Sequence, residues 1–120
     1  MSKTILLVED EPELREMLAN ELRFHGYKVF EACNGREAAE YVANSEVSIL
    51  ITDLRMSGGD GLELLAYARK KRGATLRTIL MSGFADCTAA QAQTYGANEL
   101  LHKPFGLAEF LEIIKLPPPG

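Results

Sequence analysis

Four short stretches of this 120-residue chain place residues that can handle a divalent cation or a phosphoryl group directly after apolar runs. Glu9-Asp10-Glu11 follow Ile5-Leu6-Leu7-Val8, and Asp53 follows Ile49-Leu50-Ile51-Thr52. Ser82 follows Ile79-Leu80-Met81, and Lys103-Pro104 follow Leu100-Leu101-His102. Carboxylates brought to one place repel, and one stays protonated unless a cation intervenes. Carboxylate oxygens and waters are the donors Mg²⁺ prefers. An aspartate in that setting can be a metal ligand alone, or also a nucleophile toward phosphorus. Phosphoryl transfer asks a protein mainly for positioning and charge neutralisation, which a metal ion, a lysine and a hydroxyl around one aspartate would supply.

Each residue also has a plain alternative. Acids at a helix start are favoured by the helix dipole, and for Glu11 that account is as good as any functional one. It is weaker for Asp10 with Asp53, because two separate strands deliver acids to one edge. Lys103 could be an ordinary surface lysine, but its place at a strand end before Pro104 favours a role. Serines cap turns everywhere, so Ser82 draws its weight from position alone.

The elements that must position these groups are legible as short apolar runs alternating with helical patterns. Residues 4–8, 28–32, 48–52, 78–81 and 99–101 read as strands, rich in Ile, Val and Leu and mostly without polar alternation, the pattern of buried parallel strands. Helical spacing marks Leu14, Met17, Leu18 and Leu22; Leu62, Leu65 and Ala66; and Leu107, Phe110, Leu111 and Ile114. Ala38, Ala39 and Val42 mark a helix around 35–43, and Ala89, Ala90 and Tyr95 a weaker one around 85–95. Pro12 suits a first helical turn, and Gly26 and Gly96 suit helix C-caps. The expected fold is α/β: (βα)₅, doubly wound, with a five-stranded parallel sheet in the order 2-1-3-4-5. In such sheets the site lies beyond the carboxyl ends of the strands, at a topological switch point.

Composition narrows the function classes. At 120 residues and 47% hydrophobic the chain is sized for one domain with its own core. A net charge of −4 argues against direct nucleic-acid binding. The basic run Arg69-Lys70-Lys71-Arg72 reads as cations favouring a helix C-terminus and no more. Cys33 and Cys87 have no metal-ligand spacing and suggest a reducing, cytoplasmic setting. No apolar stretch approaches the ~20 residues of a membrane span. The domain is expected over 1–116, with 117–120 a Pro-rich tail or the start of a linker.

Leu7-Val8-Glu9-Asp10-Glu11-Pro12, Thr52-Asp53-Leu54-Arg55-Met56, Met81-Ser82-Gly83 and Lys103-Pro104-Phe105 together resemble the response-regulator receiver domains of two-component signalling. Each motif alone is weak, but four in order along nearly the whole chain are specific. The resemblance implies that Asp53 accepts a phosphoryl group from a histidine kinase's phosphohistidine, or exchanges it with a phosphotransfer protein. It implies that Asp10, Asp53 and the main-chain carbonyl of Arg55 hold Mg²⁺, with Glu9 acting through water. Ser82 occupies the switch hydroxyl position and Lys103 the family's lysine position, with a cis bond to Pro104. Such a domain promotes only its own phosphorylation and dephosphorylation. It would switch the face built by its fourth helix, fifth strand and fifth helix for an output domain, a protein target or a phosphorylation-dependent homodimer.

The chain departs from the family pattern at four places. The acidic pair is Glu-Asp rather than Asp-Asp. Ser57 replaces the usual proline, which implies a more mobile loop over 57–61. Leu100 stands where a switching Tyr or Phe is typical, and the last helix ends early at Pro117. Three rival readings are weaker. A Mg²⁺-dependent phosphohydrolase would want an acid two residues after Asp53, where Arg55 stands. A pseudo-receiver would lack the acceptor, an acid or the lysine. A nucleotide-binding flavodoxin relative would need a Gly-rich loop in place of Glu9-Asp10-Glu11-Pro12.

Overall fold

Short runs of Ile, Val and Leu become strands because their branched side chains pack well on both faces of a covered sheet. The computed structural model describes residues 3–56, 61–83 and 88–115. Elements follow in the order β1 (Thr4–Val8), α1 (Pro12–Phe24), β2 (Lys28–Ala32), α2 (Gly35–Val42), β3 (Val47–Asp53), α3 (Gly61–Arg72), a 3₁₀ turn at Gly73–Thr75, β4 (Arg77–Gly83), α4 (Ala89–Thr94), β5 (Glu99–Lys103) and α5 (Leu107–Lys115). The five parallel strands lie in the order β2-β1-β3-β4-β5, as expected from sequence.

Because side chains alternate across a strand, each central strand feeds two cores. Leu6, Val8, Leu50 and Leu80 pack with Ala38 and Val42 of α2, Leu64, Leu65 and Ala68 of α3 and Ala92 of α4. Ile5, Leu7, Ile49, Ile51, Ile79 and Met81 pack with Leu18, Ala19 and Leu22 of α1 and Phe110 and Ile114 of α5. Leu100 is partly buried on the first of these faces.

β1 and β2 have the expected bounds, while β3, β4 and β5 are longer, taking in Asp53, Ser82 and Gly83, and His102 and Lys103. An apolar run stops at the first polar side chain, whereas a ladder needs only backbone donors and acceptors. The helical stripes also shift. In α3 the buried set is Gly61, Leu64, Leu65 and Ala68, and Ala66 is exposed. Apolar residues cover so much of that helix that spacing alone did not choose a face. Met17 is 47% and Leu107 37% exposed, so each lies outside the stripe it was assigned to. α4 begins only at Ala89, where Thr88 and Gln91 form a reciprocal capping box; positions 85–87 of the expected helix lie outside the described residues. So do Cys87, the 57–60 loop and the tail from Leu116.

The basic run is more than a dipole partner. Arg69 donates to the carbonyls of Gly96 (2.8 Å), Gly73 (2.7 Å) and Leu76 (2.8 Å), and to Thr78 Oγ1 (2.8 Å) and Asn98 Oδ1 (2.9 Å). Arg72 donates to the carbonyls of Val42 (2.9 Å), Asn44 (3.0 Å) and Val47 (2.7 Å). Both tie α3 to loops at the amino ends of the strands, a use of the rigid guanidinium fork that a lysine cannot copy.

Candidate functional site

Strand order reverses between β1 and β3, which are neighbours in the sheet but not in sequence, so the crevice falls at their carboxyl ends. Register sets what meets there. Val8 pairs with Thr52, Asp53 with Met81, and Gly83 with Lys103. The residues after β1 therefore face Asp53, with Lys103 arriving from two strands away.

Glu9 continues the ladder by one bond, its N–H donating to Ala32 O at 3.1 Å. Its side chain turns inward and is 0% exposed. Lys103 Nζ donates to Glu9 Oε1 at 2.7 Å and to Asp53 Oδ2 at 2.8 Å. The Glu11 N–H donates to Glu9 Oε2 at 3.1 Å. Asp53 is 7% exposed and closes β3. Its neighbours brace it: the Leu54 N–H donates to Met81 O at 2.8 Å, and Thr52 Oγ1 donates to Asp53 O at 3.0 Å. Asp10 is half-buried, and one carboxylate oxygen from each of Glu9, Asp10 and Asp53 lies within 4.8 Å of the others.

Electrostatics follow from that crowding. Burial pushes the Glu9 carboxyl up to about 7, with the Asp53 charge adding to the rise and the bonds from Lys103 and the Glu11 N–H opposing it. Burial alone would lower the Lys103 ammonium, but its bonds to Asp53 and Glu9 outweigh this and raise it. Glu9 and Asp53 share the Lys103 ammonium while Asp10 brings a third carboxylate oxygen within 4.8 Å of theirs, a crowding of negative charge among these groups that a hard dication would relieve. Oxygen donors from three acids, two on one loop and one on a neighbouring strand, fit such an ion.

Sequence reading placed Glu9, Asp10, Asp53 and Lys103 at one edge, and the structure brings all four together. Ser82 is fully buried one residue beyond the Asp53–Met81 pair, and its Oγ donates to Gly83 O at 3.0 Å. Arg55 lies exposed, two residues past Asp53. Glu11 precedes α1 at the N-cap without a side-chain capping bond and is exposed, as its plain account expects. The Lys103-Pro104 bond is cis.

Two contributors had no sequence signal strong enough to single them out. Arg15 donates to the Glu9 carbonyl at 2.8 Å. Gly61 comes so close to β3 that a Cβ there would lie 2.1 Å from Asp53 O, while its N–H donates to Leu54 O at 2.8 Å. A glycine opening a helix was the only hint of that close approach.

Comparison with known proteins places this geometry. A family model described as response regulator receiver domain matches residues 5–115. The response regulator protein TrrA of Thermotoga maritima, solved in complex with Mg²⁺-BeF, is 34% identical with a TM-score of 0.84, covering 94% of this chain and 96% of that one. Sporulation initiation phosphotransferase F of Bacillus subtilis is 28% identical over 116 residues, 96% of this chain and 93% of that protein. Response regulator protein PilR of Pseudomonas aeruginosa is 32% identical over 109 residues, 91% of this chain, which spans only 24% of PilR.

Proposed function

Because the chain belongs to the response regulator receiver domain family, and so is a phosphoacceptor module that acts only on its own phosphorylation state, we propose that Asp53 is its acceptor and that Mg²⁺ binds beside it. Asp10 and Asp53 supply carboxylate oxygens to the ion, the Arg55 carbonyl a third donor, and Glu9 acts through water. The observation that carries the assignment is the convergence of Glu9, Asp10 and Asp53 within 4.8 Å, with Lys103 Nζ bonded to both Glu9 and Asp53. Bound Mg²⁺ would neutralise charge on the transferring group and orient it.

The chain's own residues do the rest. An Asp53 carboxylate oxygen attacks phosphorus, forming a P–O bond as the donor's P–N bond to a phosphohistidine breaks; the imidazole leaves with the electron pair. Lys103 moves its donor bonds from Asp53 to a phosphoryl oxygen, a charge-assisted contact. Ser82 turns its hydroxyl from Gly83 O toward another phosphoryl oxygen, which draws on the end of β4. With Mg²⁺ bound, Glu9 would meet less of the Asp53 repulsion that adds to its raised pKa.

The phosphodonor is a histidine kinase or a phosphotransfer protein. The output is an attached domain or a separate target reached through the α4-β5-α5 face, with phosphorylation-dependent pairing of two copies as one form of it. A domain over 1–116 with 117–120 as tail or linker belongs to the same proposal. The test uses acetyl phosphate as donor, where the P–O bond to acetate breaks instead. Intact-mass analysis should show one labile phosphoryl group on the wild type with Mg²⁺, none in EDTA and none on Asp53→Asn. Equal labelling of Asp53→Asn would move the acceptor elsewhere. A wild type inert to both acetyl phosphate and beryllofluoride would make the chain a phosphorylation-independent binding module.

A further inference from the structure

The peptide joining Glu9 to Asp10 carries both acids of the pair, and its carbonyl lies past the last paired residues of β1. Its partner is a side chain: Arg15, one turn into α1, donates from Nη1 at 2.8 Å. Arg15 is itself held, its Nε 3.4 Å from Glu31 Oε1 on the edge strand β2. Glu31 Oε2 in turn meets Arg23 Nη1 at 3.1 Å, and Arg23 Nη2 donates to Val29 O at 2.9 Å. A chain of three side chains thus runs from the body of β2 to the one peptide whose rotation would swing Glu9 and Asp10 in opposite senses.

We propose that Arg15, oriented by Glu31, is a positioning residue that fixes the Glu9–Asp10 peptide and so presets the carboxylate spacing for the divalent cation. The inference rests on the proposed Mg²⁺ site and adds a residue outside its ligands. The guanidinium suits the task because its fork can serve a carbonyl and a carboxylate at fixed angles. Partners of this outer kind tune metal affinity without touching the ion.

The sign of the effect separates position from charge. If Arg15 acted only as a nearby cation, its removal would leave the site more negative and Mg²⁺ would bind tighter. If it acts by position, its removal loosens the ligands and Mg²⁺ binds more weakly. Calorimetric titration with magnesium chloride alone would measure this on the wild type, Arg15→Met, Arg15→Lys and Glu31→Gln, with urea midpoints in EDTA as the control for folding. Arg15→Met should weaken Mg²⁺ about tenfold, the low end for such partners. Arg15→Lys, which keeps one donor, should recover part of the loss, and Glu31→Gln should lose affinity in the same direction but by less.

Affinity unchanged or tighter in a folded Arg15→Met would overturn the inference while leaving the Mg²⁺ site intact. Should Arg15→Met not fold, Arg15→Lys decides, because it keeps the charge and loses the fork: weaker binding at an unchanged urea midpoint supports positioning, and wild-type affinity refutes it. Failure of the wild type itself to bind Mg²⁺ would instead sink the proposed site, and this inference with it.

Discussion

Replacing Asp10 by Asn should stabilise the metal-free protein, and the gain should vanish when Mg²⁺ is added. Oxygens of Glu9, Asp10 and Asp53 lie within 4.8 Å of one another, and at an effective dielectric of about 20 two unit charges at that distance repel by roughly 3.5 kcal/mol. Asp10 faces two such partners, but three factors reduce the sum. Its own side chain is only half-buried, Glu9 is partly protonated near neutral pH because its carboxyl is raised to about 7, and Lys103 already offsets some of the field. A net gain of about 1–2 kcal/mol remains, since Asn keeps the shape and one acceptor oxygen. For a domain of this size that is on the order of 4–8 °C in Tm.

Mg²⁺ at ten times its Kd stabilises the wild type by about 1.4 kcal/mol through linkage. It should do little for Asp10→Asn, which lacks one of the proposed ligands. Urea titrations with EDTA and with Mg²⁺ give all four free energies. A variant less stable than wild type in EDTA would show that carboxylate crowding does not strain this site. A gain that persists undiminished in saturating Mg²⁺ would show that Asp10 holds no metal.

Arg69→Met removes donors to five acceptors and should lower stability by about 3–5 kcal/mol in urea unfolding; a loss under about 1 kcal/mol would mean that water satisfies those carbonyls equally well. Gly61→Ala would set a Cβ 2.1 Å from Asp53 O, so it should cost more than about 2 kcal/mol and slow labelling by acetyl phosphate; a wild-type urea midpoint together with wild-type labelling would contradict that contact. The Glu37 carboxylate accepts from Cys33 Sγ at 3.4 Å and raises its pKa, so the thiol stays protonated at alkaline pH where a free cysteine begins to ionise. In a Cys87→Ser background, disulfide-exchange reagents at pH 8.5 should therefore react faster with Glu37→Gln than with the parent, and equal rates would refute the carboxylate's hold on the thiol.

How much of this was readable beforehand depends on what kind of force holds each part. β1 and β2 were located to the residue because hydrophobic burial writes itself into composition. Asp10, Asp53 and Lys103 were found at one edge because parallel topology sends every strand's carboxyl end to the same side. What escaped was directional bonding. The bond from Lys103 to Glu9 joins residues 94 apart in sequence, and nothing in either neighbourhood announces it. Arg69 and Arg72 look like any cations ending a helix, yet their fork geometry makes them struts between loops. The face of α3 was misread because Leu62, Leu64, Leu65, Ala66 and Ala68 offer more than one apolar stripe, and only the facing strands choose. The start of α4 was readable in principle, from Thr88 three residues before Gln91, but its apolar pattern is too thin to draw attention there.

The β-sheet also acts as a partition. Leu50 looks into one half-core and its neighbours Ile49 and Ile51 into the other, so among the described residues the two half-cores form separate clusters on opposite sides of a shared wall. Substitutions behind opposite sides of that wall should combine almost additively. The α1–α5 side could then drift, or be redesigned for new company, while the α2–α3–α4 side keeps its packing. Asp53, standing at the rim of the wall, would feel neither history until one of them bent the strand that carries it.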